Sequence, residues 1–355
     1  MKESKLFSSE DFLQPIQIIS GNEFIEHQFQ VLGIADFLRN PSITEICINR
    51  AGHAYIESNS GWSLVEVPGL TLERARMFCT ALLNESRTGQ SITDTHPLVS
   101  FTFPTGQRAQ FVIPPAVEPG SISITIRLPS RRQITLEDHQ DAGLFEKLHS
   151  IKSKISEVDE NIIKLKREGN FIEMFKLAVT ARKNIVVAGA TGSGKTTFMK
   201  SLINHIPLHE RLVTIEDARE LYIPHPNVVH LLYSKGGRST AKVSAKDCME
   251  ACLRMKPDRI LLAELRGDEA FFFIRNCASG HPGSITSCHA GSVSQAWDQM
   301  ALMVKASSEG SGLEFNIIKA LLRLTIDIVV HMHCHNGKRQ LSGIEFVAEA
   351  SDSKI

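Results

Sequence analysis

The sequence lacks any apolar run long enough to cross a bilayer, any CxxC motif and any excess of one charge sign. Dense apolar stretches such as 270–274 are far shorter than the ~20 residues that a membrane-spanning helix needs. Residues 1–10 are polar and lack the apolar core of a secretory signal. We therefore expect a cytoplasmic protein whose membrane contacts are peripheral.

The cysteine and charge counts argue against two further classes, zinc-knuckle proteins and nucleic-acid-binding proteins. Seven scattered cysteines, an odd number, agree with a reducing compartment, and the lack of a CxxC pair argues against a structural zinc knuckle. Lys and Arg together number 39, as do Asp and Glu. This balance argues against nucleic acid as the main partner, although it leaves room for a local basic groove.

With 355 residues the chain has room for two domains and a linker. Short alternating strands, a helix with period 3.6 and Gly/Pro turns predict a smaller α+β N-terminal domain over residues 1–130. Its predicted strands are 43–49, 54–57, 101–103, 109–113 and 121–127, and its predicted helix is 72–84.

Residues 131–169 form a predicted linker region rich in alternating Lys and Glu. Ile155, Val158, Ile162 and Leu165 give it a narrow apolar stripe at helical spacing. The pattern favours a solvated linker helix, with a helix that lies over a neighbour or a partner as the alternative.

From residue 170 to 355 the pattern becomes a strand–loop–helix alternation, which predicts a RecA-like P-loop NTPase domain with a mainly parallel sheet. Continuous apolar runs are typical of strands buried on both faces. They occur at 185–188, 212–215 and 260–263, with a weaker candidate at 284–287 and a hairpin around Asn336 and Gly337.

The sequence GATGSGKT at residues 189–196 follows one of these strands and opens a helix, as a P-loop must. Its glycines let backbone N–H groups face phosphate oxygens, Lys195 reaches the β- and γ-phosphates, and the Thr196 hydroxyl ligates Mg²⁺. The predicted nucleotide-binding residues of this loop are Gly189, Ala190, Thr191, Gly192, Ser193, Gly194, Lys195, Thr196 and Thr197.

Carboxylates follow two of the apolar strands, at the sheet edge where ligands bind in open α/β folds. Glu216 ends one strand, with Glu220 a turn later, and Glu264 ends the other. Glu264 is predicted to hold Mg²⁺ through water while Glu216 orients the attacking water, and the two roles could be exchanged. The alternative is that a strand-end carboxylate merely caps the segment that follows it.

Histidines and arginines supply the remaining candidates. His289 ends a glycine-flanked strand and could sense the γ-phosphate, whereas His331, His333 and His335 alternate on the terminal hairpin and offer a weaker metal-site hypothesis. A positively charged side chain is also needed to stabilise the negative charge that develops on the transferred phosphoryl group. The candidate arginines border strands or turns and are Arg108, Arg127, Arg254 and Arg266.

Taken in order, these segments resemble the hexameric traffic ATPases of bacterial type IV secretion systems, over nearly the whole chain. Residues 189–197 match the family's Walker A, 214–221 (TIEDAREL) its Asp box, 254–267 its Walker B region and 279–292 its His box. The N-terminal segments 43–49, 106–108 and 126–130 fit as well.

The resemblance implies ATP and Mg²⁺ as ligands, His289 as a catalytic residue, and Arg127 and Arg108 as arginines that reach the phosphates. It also implies a homohexameric ring with nucleotide between the two domains, hinge motion of the N-terminal domains, and contacts with other secretion ATPases and inner-membrane scaffold proteins. The long 131–169 stretch leaves open whether the domains of one chain pack together or exchange with a neighbour.

Three rival functions are weighed beside this one. A pilus-retraction, type II secretion or tight-adherence motor belongs to the same superfamily, but the sequence GHPGS at 280–284 and the missing four-cysteine module disfavour it. A nucleic-acid translocase is disfavoured by the neutral charge, and a scaffold that binds ATP without turnover is disfavoured by the full set of acids.

Overall fold

The computed structural model describes residues 23–86, 89–129, 134–146, 155–234 and 241–349. Within these ranges the chain folds into two packed units joined by a helical segment, an α/β architecture. No helix in the described ranges has the length and apolar character needed to span a membrane.

The N-terminal unit is a six-stranded sheet in the order β3-β2-β1-β6-β5-β4, and every adjacent pair is antiparallel. Its helices cover one face, where buried phenylalanines such as Phe29, Phe78 and Phe111 form the core. The strands are β1 (Ile43–Arg50), β2 (His53–Ser58), β3 (Gly61–Glu66), β4 (Leu98–Thr102), β5 (Arg108–Val112) and β6 (Ser123–Arg127). The helices are α1 (Glu23–Leu32), α2 (Ala35–Arg39) and α3 (Leu72–Glu85).

Helix α3 shows why the local sequence folds as predicted. The Thr71 hydroxyl caps its N-terminus by accepting a hydrogen bond from the Arg74 amide at 3.1 Å. Ala75, Phe78 and Leu82 then recur at helical spacing and are buried against the sheet. The helix predicted from the same periodicity is confirmed to within one residue.

The C-terminal unit contains two strand groups, β10-β8-β9 and β11-β7-β12-β13, in which only the β12–β13 pair is antiparallel. A bridge between Leu265 and Cys288 joins them, so the strand order across the unit is β9-β8-β10-β11-β7-β12-β13. The strands are β7 (Ile185–Gly189), β8 (Leu212–Glu216), β9 (Val228–Leu232), β10 (Arg259–Leu262), β11 (Ile285–Cys288), β12 (Ile328–His335) and β13 (Lys338–Phe346).

Helices cover both faces of these strands, which explains why the strands read as continuous apolar runs. One core lies between the strands and α8 (Ala245–Cys252), α9 (Glu269–Ala278), α10 (Val293–Ala306) and α11 (Phe315–Thr325). The other lies against α5 (Glu157–Arg167), α6 (Phe171–Thr180) and α7 (Lys195–Ile203).

The described part of the predicted linker, residues 134–146 and 155–169, contains two helices, α4 (Leu136–Asp141) and α5. The expectation of a solvated helix is wrong for α5, because Ile162 and Ile163 are buried in the same core as Met174 and Phe175 of α6. Apolar residues at steps of three and four predict burial of Ile162 but not of its neighbour Ile163. The sequence pattern therefore predicts a smaller buried surface for α5 than the structure shows. The domain boundaries at 130 and 170 stay predictions.

The N-terminal unit packs on the C-terminal unit of its own chain, along the outer strand β9. The amide of Leu232 donates to the carbonyl of Ala116 at 2.8 Å, and the Tyr55 hydroxyl donates to the carbonyl of Pro226 at 2.5 Å. The fully buried Arg211 crosses the same contact and donates to Thr125 at 3.3 Å. The N-terminal unit therefore lies at the β9 side of the molecule, and three strands, β8, β10 and β11, separate β9 from β7.

Candidate nucleotide-binding site

The loop between β7 and α7 has the backbone shape that a phosphate cradle requires. Gly192 and Gly194 adopt φ values of 77° and 97°, which side-chain-bearing residues rarely take, and Gly194 caps the N-terminus of α7. A Cβ atom at Gly189 would lie 2.5 Å from the carbonyl oxygen of Met332. The loop thus needs glycine for both conformation and space, as the sequence pattern predicts.

Lys195 opens α7 and is 8% exposed. Its Nζ donates to the carbonyls of Gly189 and Ala190, at 2.9 and 3.0 Å, and no carboxylate of the described chain lies in ion-pair distance. Burial lowers the pKa of Lys195, and the charge of the nearby Glu264 opposes that effect. A buried cation that bonds only to neutral carbonyls is suited to receive a phosphate.

The remaining loop residues complete an anion-binding concavity at a helix N-terminus. The hydroxyl oxygen of Ser193 is buried without a hydrogen-bond partner, while Thr196 is half-buried and Thr191 and Thr197 are exposed. The orphan hydroxyl and the Thr196 oxygen fit a phosphate and its hard cation, because Mg²⁺ prefers oxygen ligands.

A second group of side chains meets beyond the ends of β10 and β11. Strand β11 lies next to β7, and β10 lies next to β11. The His289 Nε2 lies 2.6 Å from a carboxylate oxygen of Glu264, and Arg266 pairs with the same carboxylate. Arg266 also bonds to Asp217 at 2.5 Å. Three residues predicted separately from sequence, Glu264, Arg266 and His289, are thus in direct contact.

Asp217 and Glu269 are the members of this group that sequence reasoning did not select. Asp217 follows a predicted site residue directly, so its position at a strand end was the available signal. Glu269 is 6% exposed and accepts from the amides of Arg266 and Gly267 at 2.5 and 2.8 Å. Because Glu269 satisfies the turn after β10, the carboxylate of Glu264 remains available for other partners.

Glu216 has a different environment. It is fully buried, and its oxygens accept from the Thr214 hydroxyl at 2.6 Å and from the amides of Glu220 and Leu221 at 2.7 Å each. Burial raises the pKa of Glu216, but hydrogen bonds from His230, Thr214 and these amides outweigh it and hold the pKa below the ordinary 4.5. This geometry favours the alternative in which Glu216 caps the following segment. Glu220 is exposed.

Arg108 and Arg127 do not reach the P-loop of their own chain. They are register partners on β5 and β6, and with Lys256 they line a cavity of about 820 Å³ that none of residues 189–197 lines. Lys256 precedes β10 whereas Glu264 follows it, so the cavity lies at the opposite end of that strand. Arg108 and Arg127 therefore lie away from the P-loop of their own chain, because the N-terminal unit packs beside β9, and their contact with phosphates stays a prediction.

The same cavity contains a buried carboxylate. Glu45 is 3% exposed, one of its oxygens has no hydrogen-bond partner, and the other lies 3.7 Å from the Nε of Arg127. Burial raises the pKa of Glu45 to about 7, and Arg127 opposes the shift only in part.

The hairpin histidines do not converge. His331 is buried and uses both ring nitrogens, with Nδ1 2.5 Å from the Ser342 hydroxyl and Nε2 3.2 Å from the carbonyl of Ala290. His333 and His335 stack with ring centroids 6.0 Å apart. The occupied nitrogens of His331 disfavour the metal-site hypothesis.

The chain is similar in sequence to known secretion proteins. Residues 146–353 match the family model described as type II/IV secretion system protein. The chain is 44% identical over 314 residues to the type IV secretion system protein VirB11 of Brucella suis, which covers 87% of this chain and 86% of that protein. It is 42% identical over 313 residues to the type IV secretion system protein PtlH of Bordetella pertussis, covering 87% and 91%.

A solved structure is similar across both units. The crystal structure of the VirB11 ATPase from the Brucella suis type IV secretion system, determined in complex with sulphate, superposes with a TM-score of 0.85 at 43% identity. The match covers 91% of this chain and 97% of that one, so it extends over the N-terminal unit as well as the site.

Proposed function

The chain belongs to the family of type II/IV secretion system proteins and is a type IV secretion ATPase, and from that premise we propose that it works as a ring-shaped motor. Hydrolysis of ATP would energise substrate export, pilus assembly or both. The observation that carries this proposal is the contact of Glu264 with His289 and Arg266 beside the P-loop.

We infer a RecA-like core for the C-terminal unit. The strand order places β7 between β11 and β12, with the carboxylate that ends β10 two strands away from the P-loop strand. Parallel strands bring their carboxyl ends to one edge, where an open α/β sheet binds its ligand.

Each loop residue then has a role in holding the nucleotide. Backbone N–H groups of residues 189–197 and the Lys195 ammonium would bind the phosphate oxygens, and Thr196 together with Glu264, the latter through water, would hold Mg²⁺. The ion would supply charge neutralisation on the phosphates. Lys195 leaves the two loop carbonyls when an anionic partner arrives, because a charge-assisted bond is stronger than a bond to a neutral acceptor.

Glu264 is our candidate for orienting the attacking water, with His289 close enough to transmit the state of the site. Arg266 pairs with Glu264 and Asp217 in the described structure and would turn to the phosphates once nucleotide is bound. Glu216 is reassigned to holding the segment 217–221 in place.

Arg127 and Arg108 would act on the nucleotide of a neighbouring subunit. They are exposed, lie at the far end of β10 and have no route to their own P-loop without a large domain movement. A homohexameric ring would satisfy this need, since heterologous contacts repeat the same pair of surfaces around a closed circle. Contacts with other secretion ATPases, with scaffold proteins and with the inner face of the membrane follow from the resemblance alone.

The test is ATP hydrolysis by the purified chain over a concentration series, with sizing in parallel. We expect activity to rise as a ring forms, to ignore added DNA and to be absent in Lys195→Ala. Activity confined to a monomer, or activity that requires DNA, would contradict the motor.

Mixing two inactive variants separates action within a chain from action between chains. Arg127→Ala and Lys195→Ala subunits, each inactive alone, should regain part of the activity when mixed, because some interfaces then pair an intact arginine with an intact P-loop. Arg76→Ala, which removes an exposed arginine of α3, serves as the matched control and should retain activity. No recovery on mixing would place Arg127 outside the neighbour's site.

A further inference from the structure

The β12–β13 hairpin lies directly on the phosphate-binding loop. Besides the close approach of Met332 to Gly189, a Cβ atom at Gly194 would lie 2.7 Å from Cδ and 3.1 Å from Nε of Arg339. The alkyl stem of Arg339 therefore rests on the residue that caps α7, and its guanidinium lies at the N-terminal end of that helix.

The guanidinium of Arg339 is exposed and makes no hydrogen bond or ion pair with any described residue. In contrast, Arg266 is bound to two carboxylates. Arg339 thus adds a free cation beside Lys195 and beside the positive end of α7, an arrangement that is unfavourable unless an anion binds among them. The hydroxyl of Ser193 in the same loop is buried without a hydrogen-bond partner, which also indicates an anion-binding site.

The strand order fixes the direction in which a nucleotide must lie. Glu264 and His289 end β10 and β11 on one side of β7, whereas Arg339 belongs to β13 on the other side. If the reacting γ-phosphate faces Glu264, the α-phosphate end of the nucleotide faces the hairpin.

We infer that Arg339 is a nucleotide-binding residue that contacts the α-phosphate end of a nucleoside di- or triphosphate. The inference rests on the proposed role of Glu264 at the γ-phosphate. Because ATP and ADP share that end, Arg339 contributes to the affinity for both and little to the hydrolytic step.

The test compares binding of ADP and of a non-hydrolysable ATP analogue by calorimetry, together with kcat and KM for ATP. We expect Arg339→Ala to weaken both ligands by about tenfold, as for loss of a charge-assisted hydrogen bond, and to raise KM with kcat nearly unchanged. Arg339→Lys should recover part of the affinity. Lys338→Ala removes the same charge from the neighbouring, exposed residue, whose side chain points to the other face of the hairpin, and should bind like the wild type.

Each result decides the inference. If Arg339→Ala loses affinity for the ATP analogue alone, the α-phosphate end of the nucleotide does not face the hairpin and the inference is overturned. Equal losses in Arg339→Ala and Lys338→Ala would mean that any positive charge on the hairpin has the same effect, and that Arg339 makes no specific contact. If Lys195→Ala abolishes binding while Arg339→Ala binds normally, the hairpin inference fails and the P-loop site stands. If Lys195→Ala binds normally, the proposed site itself is wrong.

Discussion

The ends of β8 and β10 begin from the same local pattern and reach opposite environments. Each strand is short and mainly apolar, and a glutamate is its last residue (Glu216) or stands two residues beyond it (Glu264). Glu216 is fully buried, and the amides of its own loop and the Arg219 and His230 side chains lie against its carboxylate. The Glu264 side chain is 13% exposed and pairs with Arg266 of its own segment and with His289 from the loop after β11.

The difference comes from which residue satisfies the turn that follows. After β8 the free amides of Glu220 and Leu221 are satisfied by the strand-end glutamate itself. After β10 the amides of Arg266 and Gly267 donate instead to the carboxylate of Glu269. A strand-end acid is therefore available for chemistry only when another acceptor takes over the backbone.

The largest effect should follow from Glu264→Gln. The amide keeps the size of the side chain but can neither accept a proton nor draw His289 and Arg266 by charge, so we expect kcat for ATP to fall by about 10²–10³-fold. Steady-state hydrolysis with calorimetric nucleotide binding measures this. Binding should change much less than kcat.

Asp217→Asn is the matched control for that variant. It removes the other carboxylate held by Arg266 and leaves Glu264 in place. A kcat as low as that of Glu264→Gln would mean that the placement of Arg266, rather than the carboxylate of Glu264, limits hydrolysis.

Glu216→Gln should act on stability instead. An amide cannot accept all the hydrogen bonds that the carboxylate accepts, and the donors left over are buried, so we expect a loss of about 2–4 kcal/mol in the free energy of unfolding. Denaturant titration measures it. Glu220→Gln makes the same chemical change at an exposed position and should cost less than about 0.5 kcal/mol.

The pH dependence of unfolding in wild type and Glu216→Gln tests whether the charge of the Glu216 carboxylate causes the stability difference. Because the folded pKa of Glu216 is held below its ordinary 4.5, its stabilisation is complete above pH 4.5 and is lost as the pH falls through the folded pKa. The stability difference between wild type and Glu216→Gln should therefore shrink in acid. A difference that stays constant down to pH 3 would attribute it to packing rather than to charge.

Features that depend on neighbouring residues could be predicted from sequence. The glycines, Lys195 and Thr196 form a P-loop within a few residues, and the strands that flank them are apolar runs whose burial follows from their position in a parallel sheet. The sequence also places Glu264 and His289 after strands that lie on one side of β7, since β11 is beside β7 and β10 is beside β11, whereas the roles of the predicted acids stay predictions.

What the sequence leaves open depends on contacts between distant segments. Which of Glu216 and Glu264 is available for catalysis depends on which of them accepts hydrogen bonds from the backbone amides that follow it. The position of Arg127 depends on the packing of the N-terminal unit along β9. Neither leaves a periodic signal in the sequence. The burial of Ile162 and Ile163 together was not predicted, for the same reason, because it depends on the packing of α6 against α5.

Glu45 extends the comparison to a carboxylate that is buried without enough donors. Its pKa is raised to about 7, so between pH 4.5 and 7 the folded state must keep a proton that the unfolded state releases, and stability falls as the pH rises. Glu45→Gln removes this penalty. At about 1.4 kcal/mol per pKa unit the gain is bounded at about 3.5 kcal/mol, and we expect about 1 kcal/mol because the amide is also poorly paired.

The sign of this last effect separates Glu45 from Glu216. Thermal unfolding at pH 5 and pH 8 should show a gain for Glu45→Gln that is larger at pH 8, whereas Glu216→Gln should be destabilised at both. Glu57→Gln, which changes a second carboxylate of the same cavity that is already paired with Lys256 at 2.7 Å, should show no such gain. If Glu45→Gln instead loses stability at pH 8, Arg127 and the cavity stabilise the ionised carboxylate, and burial alone does not decide which strand carboxylates are charged.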